Sequence, residues 1–213
     1  ESNYQATGGN VSVEFNAYLM FGSHPASFND IDGHWAQSAI AYCVSTGLFS
    51  GLNNTTFAPD QPMTRAMFIT VIGRLYQELS GNAVIASGAN EFTDVQSGSY
   101  YIQFLDWAYD NNIIEGYGDG RFGPNDNITR AQMAQIIANF VQYMGTNIDV
   151  YEGTSLTFSD SMDIPTWAYT AVSYCSYNGL ITGMPGNLFS PNTTATRAQV
   201  ATIMQRFANS FSE

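Results

Sequence analysis

The tripeptide Thr-Arg-Ala occurs at Thr64-Arg65-Ala66, Thr129-Arg130-Ala131 and Thr196-Arg197-Ala198, with the arginines 65 and 67 residues apart. The surroundings keep the same register. Thirty residues upstream of each arginine stand Trp35, Tyr100 and Trp167; fourteen upstream, Gly51, Gly116 and Gly183; eight upstream, Phe57, Phe122 and Phe189; six upstream, Pro59, Pro124 and Pro191. Earlier still come Phe28-Asn29-Asp30, Phe92-Thr93-Asp94 and Phe158-Ser159-Asp160. Self-similarity at a fixed period marks a repeated supersecondary unit. A helical pair of this size cannot bury its apolar face alone, so the copies at 28–75, 92–140 and 158–207 are expected to pack as one pseudo-threefold domain over 28–213.

Each copy reads as helix, loop, helix, and the fold class is mainly α. Ala36, Ala39, Ile40, Cys43 and Val44 follow the spacing of a one-sided helix. Gly47, Asn112 and Gly179 can end the first helices in a left-handed conformation. The turn Gly118-Asp119-Gly120-Arg121-Phe122 is rich in residues suited to positive φ. Thr64, Thr129 and Thr196 are placed to cap the second helices. Gln132 and Gln199 complete a capping box that Met67 breaks in the first copy. The core faces would be Phe68, Val71, Ile72 and Leu75, then Met133, Ile136, Ile137 and Phe140, then Val200, Ile203, Met204 and Phe207. Residues 76–91 and 141–157 read as connectors. Residues 1–27 lie outside the repeat, and Val11, Val13, Phe15, Ala17, Leu19 and Phe21 alternate there as a short β segment would.

Charge narrows the partners. Eighteen acids against six arginines, with no lysine, give a net charge of −12. That argues against nucleic acid or an anionic membrane held by bulk attraction. No stretch approaches the roughly 20 apolar residues that span a bilayer. No nucleophile–base pair, zinc signature, phosphate loop or calcium loop appears, so no catalytic role, metal or cofactor is expected. Cys43 and Cys175 share one repeat position with Ala108, which favours buried free thiols over a disulfide. His24 and His34 read as exposed loop residues.

The arginines carry the functional question. After a capping threonine, each arginine occupies the first helical position, where a cation meets the positive helix end at a cost of about 0.3–1 kcal/mol. One reading makes Arg65, Arg130 and Arg197 carboxylate receptors, aided by free helix N–H groups. The other makes each an internal clamp, bonded to Asp30, Asp94 or Asp160 or to a loop carbonyl. The aromatics Trp35, Tyr100 and Trp167 are similarly open, as core residues or as platforms for a sugar ring.

The composite pattern Phe-x-Asp, Trp-Ala-x-x-Ala-Ile, Gly-Leu/Ile-x-x-Gly, Asp-Gly-x-Phe-x-Pro and Thr-Arg-Ala, present in three copies over about residues 28–207, resembles the S-layer homology repeat. The resemblance implies a three-pronged spindle with a central three-helix bundle and grooves between the prongs. It implies an extracellular, non-enzymatic module that anchors a protein to the secondary cell wall polysaccharide of a Gram-positive-type surface, the ligand being an N-acetylmannosamine that bears a pyruvate ketal. On matching positions, Arg65, Arg130 and Arg197 would hold the ketal carboxylate. Asp30, Asp94, Asp160, Trp35, Trp167, Gly51, Gly116 and Gly183 would complete the grooves. The family's Thr-Arg-Ala-Glu is here Met67, Gln132 and Gln199 at the last position, and the second copy has Tyr100 for tryptophan, so the three grooves are not expected to be equivalent. The last repeat ends close to Glu213, which reads as a C-terminal anchor with its cargo upstream. The alternative function is protein–protein interaction, as in self-assembly of a surface layer.

Overall fold

The computed structural model describes residues 28–88 and 91–210. The expected β segment at 1–27 lies outside them. Six α-helices are present among the described residues: α1 (Gln37–Ser45), α2 (Arg65–Ser80), α3 (Ile102–Asp110), α4 (Arg130–Tyr143), α5 (Tyr169–Tyr177) and α6 (Arg197–Ser210). Each repeat supplies a short helix and then a longer one. The chain is mainly helical and pseudo-trimeric.

Local chemistry sets the helix ends. The Thr64 and Thr129 side chains accept from the Met67 and Gln132 amides. The Thr129 and Thr196 amides donate in return to the Oε1 atoms of Gln132 and Gln199, completing two capping boxes. Met67 has no polar group with which to do so. Gly47, Asn112 and Gly179 follow the short helices at φ 75°, 55° and 66°. The long helices run past their expected ends: α2 runs through Leu75 to Ser80, because no residue there breaks it before Gly81 closes it at φ 69°, and α4 and α6 continue to Tyr143 and Ser210. The first connector is correspondingly shorter.

The packing is exchanged between repeats. Helix α1 packs on α6, α3 on α2, and α5 on α4. Every short helix therefore lies on the long helix of the preceding repeat, and the first closes the cycle on the third. All the expected core residues of α2, α4 and α6 are buried in one continuous cluster. Cys43 and Cys175 are buried and unpaired, and their thiols point to the Ala201 and Ala134 carbonyls of the helix beneath. Burial pushes both thiols well above the ordinary pKa, so they behave as small apolar residues.

The long helices begin at a collar of backbone hydrogen bonds. Met63 N donates to Ala195 O at 2.9 Å, Ala195 N to Ile128 O at 3.0 Å, and Ile128 N to Met63 O at 2.9 Å, which closes a triangle through the three repeats. No β-sheet is formed among the described residues; the collar appears only as isolated antiparallel bridges.

Candidate functional site

The repeated arginines stand just inside this collar, each aimed at the next repeat. Arg65 donates through Nε to Phe122 O at 2.9 Å and through Nη2 to Glu115 O at 3.2 Å. Arg130 repeats the pair on Phe189 O at 2.6 Å and Thr182 O at 2.8 Å. Arg197 completes the cycle on Phe57 O at 2.9 Å and Ser50 O at 2.7 Å. Each guanidinium also lies over the ring of the phenylalanine whose carbonyl it binds, at 4.6, 5.0 and 4.4 Å from the centroid. Of the two clamp partners open at the start, the loop carbonyl is the one used. Among the described residues no carboxylate lies within ion-pair distance of these arginines.

The helix ends differ from expectation too. The Arg65 and Ala66 amides donate to Asp126 O and Pro124 O, and the same pair of bonds recurs at Arg130 and Ala131 and at Arg197 and Ala198. These N–H groups are occupied by the neighbouring loop and are not free for a carboxylate. The same carbonyls put partial negative charge at the helix terminus, which offsets the local disadvantage of a cation there. All three arginines are buried, and burial lowers their pKa, yet a guanidinium keeps its charge.

The aspartates hold the other side of the same peptides. Asp30 accepts from the Phe57 and Ala58 amides at 2.9 and 2.6 Å, Asp94 from Phe122 and Gly123 at 2.9 and 2.8 Å, and Asp160 from Phe189 and Ser190, both at 2.7 Å. Burial works against the Asp30 carboxylate, but the Phe57, Ala58 and own-residue amides and the charge of Arg197 hold its pKa below the ordinary value. Each phenylalanine peptide is thus gripped by an aspartate of its own repeat and an arginine of the preceding one. The glycines make room for this. A Cβ on Gly51 or Gly116 would meet the Phe28 or Phe92 ring and lie 2.6 Å from a backbone oxygen.

Trp35, Tyr100 and Trp167 are 65%, 62% and 55% exposed, so the core reading of these aromatics does not hold. Each sits at the mouth of its short helix, and Trp35 leans on His34 with centroids 5.4 Å apart. His34 is mostly covered rather than exposed: Nδ1 accepts from Ala36 N and Nε2 donates to Asp60.

A groove of about 210 Å³ brings the pieces together from all three repeats. Trp35 comes from the first, Arg130 from the second, and Gly183, Gln199, Thr202 and Arg206 from the third. Trp35, Arg130 and Gly183 were named from the sequence. Arg206 and its counterpart Arg74, nine residues after a motif arginine, were not, although two further arginines at one offset were visible in a chain with so few. Tyr100, the aromatic of the second copy, lies near enough to Arg74 and Arg197 to interact with both charges. Chemically, such a groove offers an aromatic face, polar side chains and guanidinium groups with no carboxylate in ion-pair distance among the described residues.

The chain matches the model of the S-layer homology domain over residues 27–67, 91–134 and 157–201, more than half of its length. It is 34% identical to an amylopullulanase of Thermoanaerobacterium thermosulfurigenes over 91% of this chain and 10% of that protein. It is 29% identical to a cellulosome-anchoring protein of Acetivibrio thermocellus over 69% of this chain and 32% of that protein. An S-layer protein of Bacillus thuringiensis subsp. finitimus is 26% identical over 87% of this chain and 22% of its own length. The chain therefore spans a third or less of these relatives.

Proposed function

This chain belongs to the S-layer homology domain family, and we propose that it anchors a larger protein non-covalently to a cell wall of Gram-positive type by binding a secondary cell wall polysaccharide. The bound feature is a carboxylate-bearing amino sugar, such as N-acetylmannosamine with a pyruvate ketal. The observation that carries this reading is the groove in which Trp35, Arg130 and Gly183 converge from three repeats. An exposed indole suits the apolar face of a pyranose. The Nη1 group of Arg130 has no partner among the described residues and is the donor left for a carboxylate. An acidic chain that keeps a buried guanidinium clear of any ion pair selects a small anion held locally, because its overall field repels extended polyanions.

Two features of the relatives support the anchoring role. One is itself named for anchoring and another for the S-layer, while the amylopullulanase aligns over only a tenth of its length. The shared module is therefore a small part of that enzyme. Among the described residues, no helix is long and apolar enough to cross a membrane.

Co-sedimentation with purified wall polysaccharide, before and after mild acid removal of its pyruvate ketals, tests this reading without touching the fold. Binding should fall at least tenfold on removal. Unchanged binding would sink the carboxylate reading, and self-association without any polymer would favour surface-layer assembly instead.

A further inference from the structure

Five of the six arginines have no carboxylate within ion-pair distance among the described residues; Arg121, paired with Asp119 at 2.8 Å, is the sixth. Four of the five form two pairs. Arg130 binds the Thr182 carbonyl at 2.8 Å, and Arg206 reaches the hydroxyl of the same Thr182 and the Leu180 carbonyl, both at 3.4 Å. In the next groove Arg197 binds Ser50 O at 2.7 Å and Arg74 binds Leu48 O at 3.2 Å. Two guanidinium groups thus converge on one loop twice over. Two cationic donors presented on one loop favour an anion there.

The remaining groove is built differently. The position of Arg74 and Arg206 is Asn139, whose amide donates to Ile113 O at 3.1 Å. The position of Leu52 and Met184 is Tyr117, and its ring lies 4.8 Å from the Arg65 guanidinium, on which Phe122 also packs at 4.6 Å. The Tyr117 hydroxyl donates to Asp126 at 3.0 Å, pinning the ring in place. Space for this comes from Gly123. A Cβ there would lie 2.6 Å from the Asp126 carboxylate and 3.0 Å from the Tyr117 hydroxyl, and the equivalent residues, Ala58 and Ser190, both carry one.

We infer that the chain has two working anion sites, Arg130 with Arg206 and Arg197 with Arg74, and that Tyr117 closes the third groove by occupying the place of the ligand on Arg65. The second arginine of each pair is a specificity-determining residue: with the motif arginine it makes a two-cation seat for the carboxylate. This inference rests on the carboxylate reading proposed above.

Calorimetric titration of the chain with the methyl glycoside of N-acetylmannosamine bearing a pyruvate ketal separates the two. The expected stoichiometry is two per chain. Arg206→Gln should reduce it to one at the same concentrations, the lost site weakening about tenfold or more. Arg74→Gln with Arg206→Gln should remove both, while circular dichroism shows the helices intact. Tyr117→Leu with Asn139→Arg should open a third site. Three sites in the unmodified chain, or full binding by the Arg74→Gln, Arg206→Gln variant, would overturn the inference and leave the carboxylate reading standing. No binding by the unmodified chain would sink both.

Discussion

The collar at the heart of the molecule and the rims of its grooves are built from the same three repeats, yet they have diverged to different degrees. In the collar, the arginine-to-carbonyl bonds (2.6–3.2 Å) and the aspartate clamp (2.6–2.9 Å) occur three times, and one backbone triangle joins all three copies. At the rims, a tryptophan becomes Tyr100, Arg74 and Arg206 become Asn139, and Leu52 and Met184 become Tyr117. The collar closes only if all three copies agree, since each unit completes its neighbour's hydrogen bonds. A rim residue answers to one groove alone and is free to differ.

Replacing a collar arginine should have the largest effect. Arg197→Ala removes two charge-assisted bonds, worth about 1.5–3 kcal/mol each, and strands the Phe57 and Ser50 carbonyls. The expected loss is about 3–5 kcal/mol in urea denaturation, with Arg65→Ala and Arg130→Ala agreeing within about 1 kcal/mol. A wider spread would break the claim that the collar is threefold. It follows that arginine-to-alanine changes report on folding as well as on binding.

Glycine substitutions sharpen the same comparison. Gly51→Ala and Gly116→Ala drive a methyl group against backbone oxygens at 2.6 Å and should reach the upper end of the overpacking range of about 1–3 kcal/mol. At Gly183 the nearest atoms, on Phe158 and Leu188, lie at 3.0 and 3.4 Å, so Gly183→Ala should cost least. Thermal melts that rank Gly183→Ala as the worst would show that the third loop is not the roomier one.

Acid should reveal the aspartate clamp. The folded pKa of Asp30 lies below its ordinary 3.8, so its contribution is present above that value and is lost as pH falls through the folded pKa. At neutral pH Asp30→Asn should melt below the unmodified chain, and the gap should narrow as pH drops below 3.8. A gap that widens in acid would contradict the sign.

The smallest effect belongs to Met67→Gln, which would install the missing arm of the first capping box. Its expected gain is at most about 1 kcal/mol by urea titration, because some packing of Met67 is lost. A loss of stability would mean that the packing outweighs the cap.

Much of the fold could be read directly. Threonine caps, left-handed residues after the short helices and apolar spacing on the long ones are local signals, and each leaves its trace within a few residues. The end of α2 leaves a local trace too, in Gly81, which closes the helix at φ 69°. The site was only half legible. That the arginines were special followed from their scarcity and placement, but their carbonyl partners carry no sequence signature, because every residue has a carbonyl. Nor did the pattern show that Trp35, Tyr100 and Trp167 face solvent, since an aromatic opening a helix suits either side.

By itself, then, the amino-acid sequence determined a helical unit made three times, its caps, its core faces and the family to which it belongs, because these depend on spacing within one repeat. Only the tertiary structure decided which repeat completes which. Each short helix crosses to the preceding long one, and each arginine reaches 50 to 147 residues along the chain for its Nη2 carbonyl. Such contacts are chosen by closure of the ring as a whole, where every buried donor must find an acceptor on a neighbour. The same closure brings Trp35, Arg130 and Gly183 into one groove.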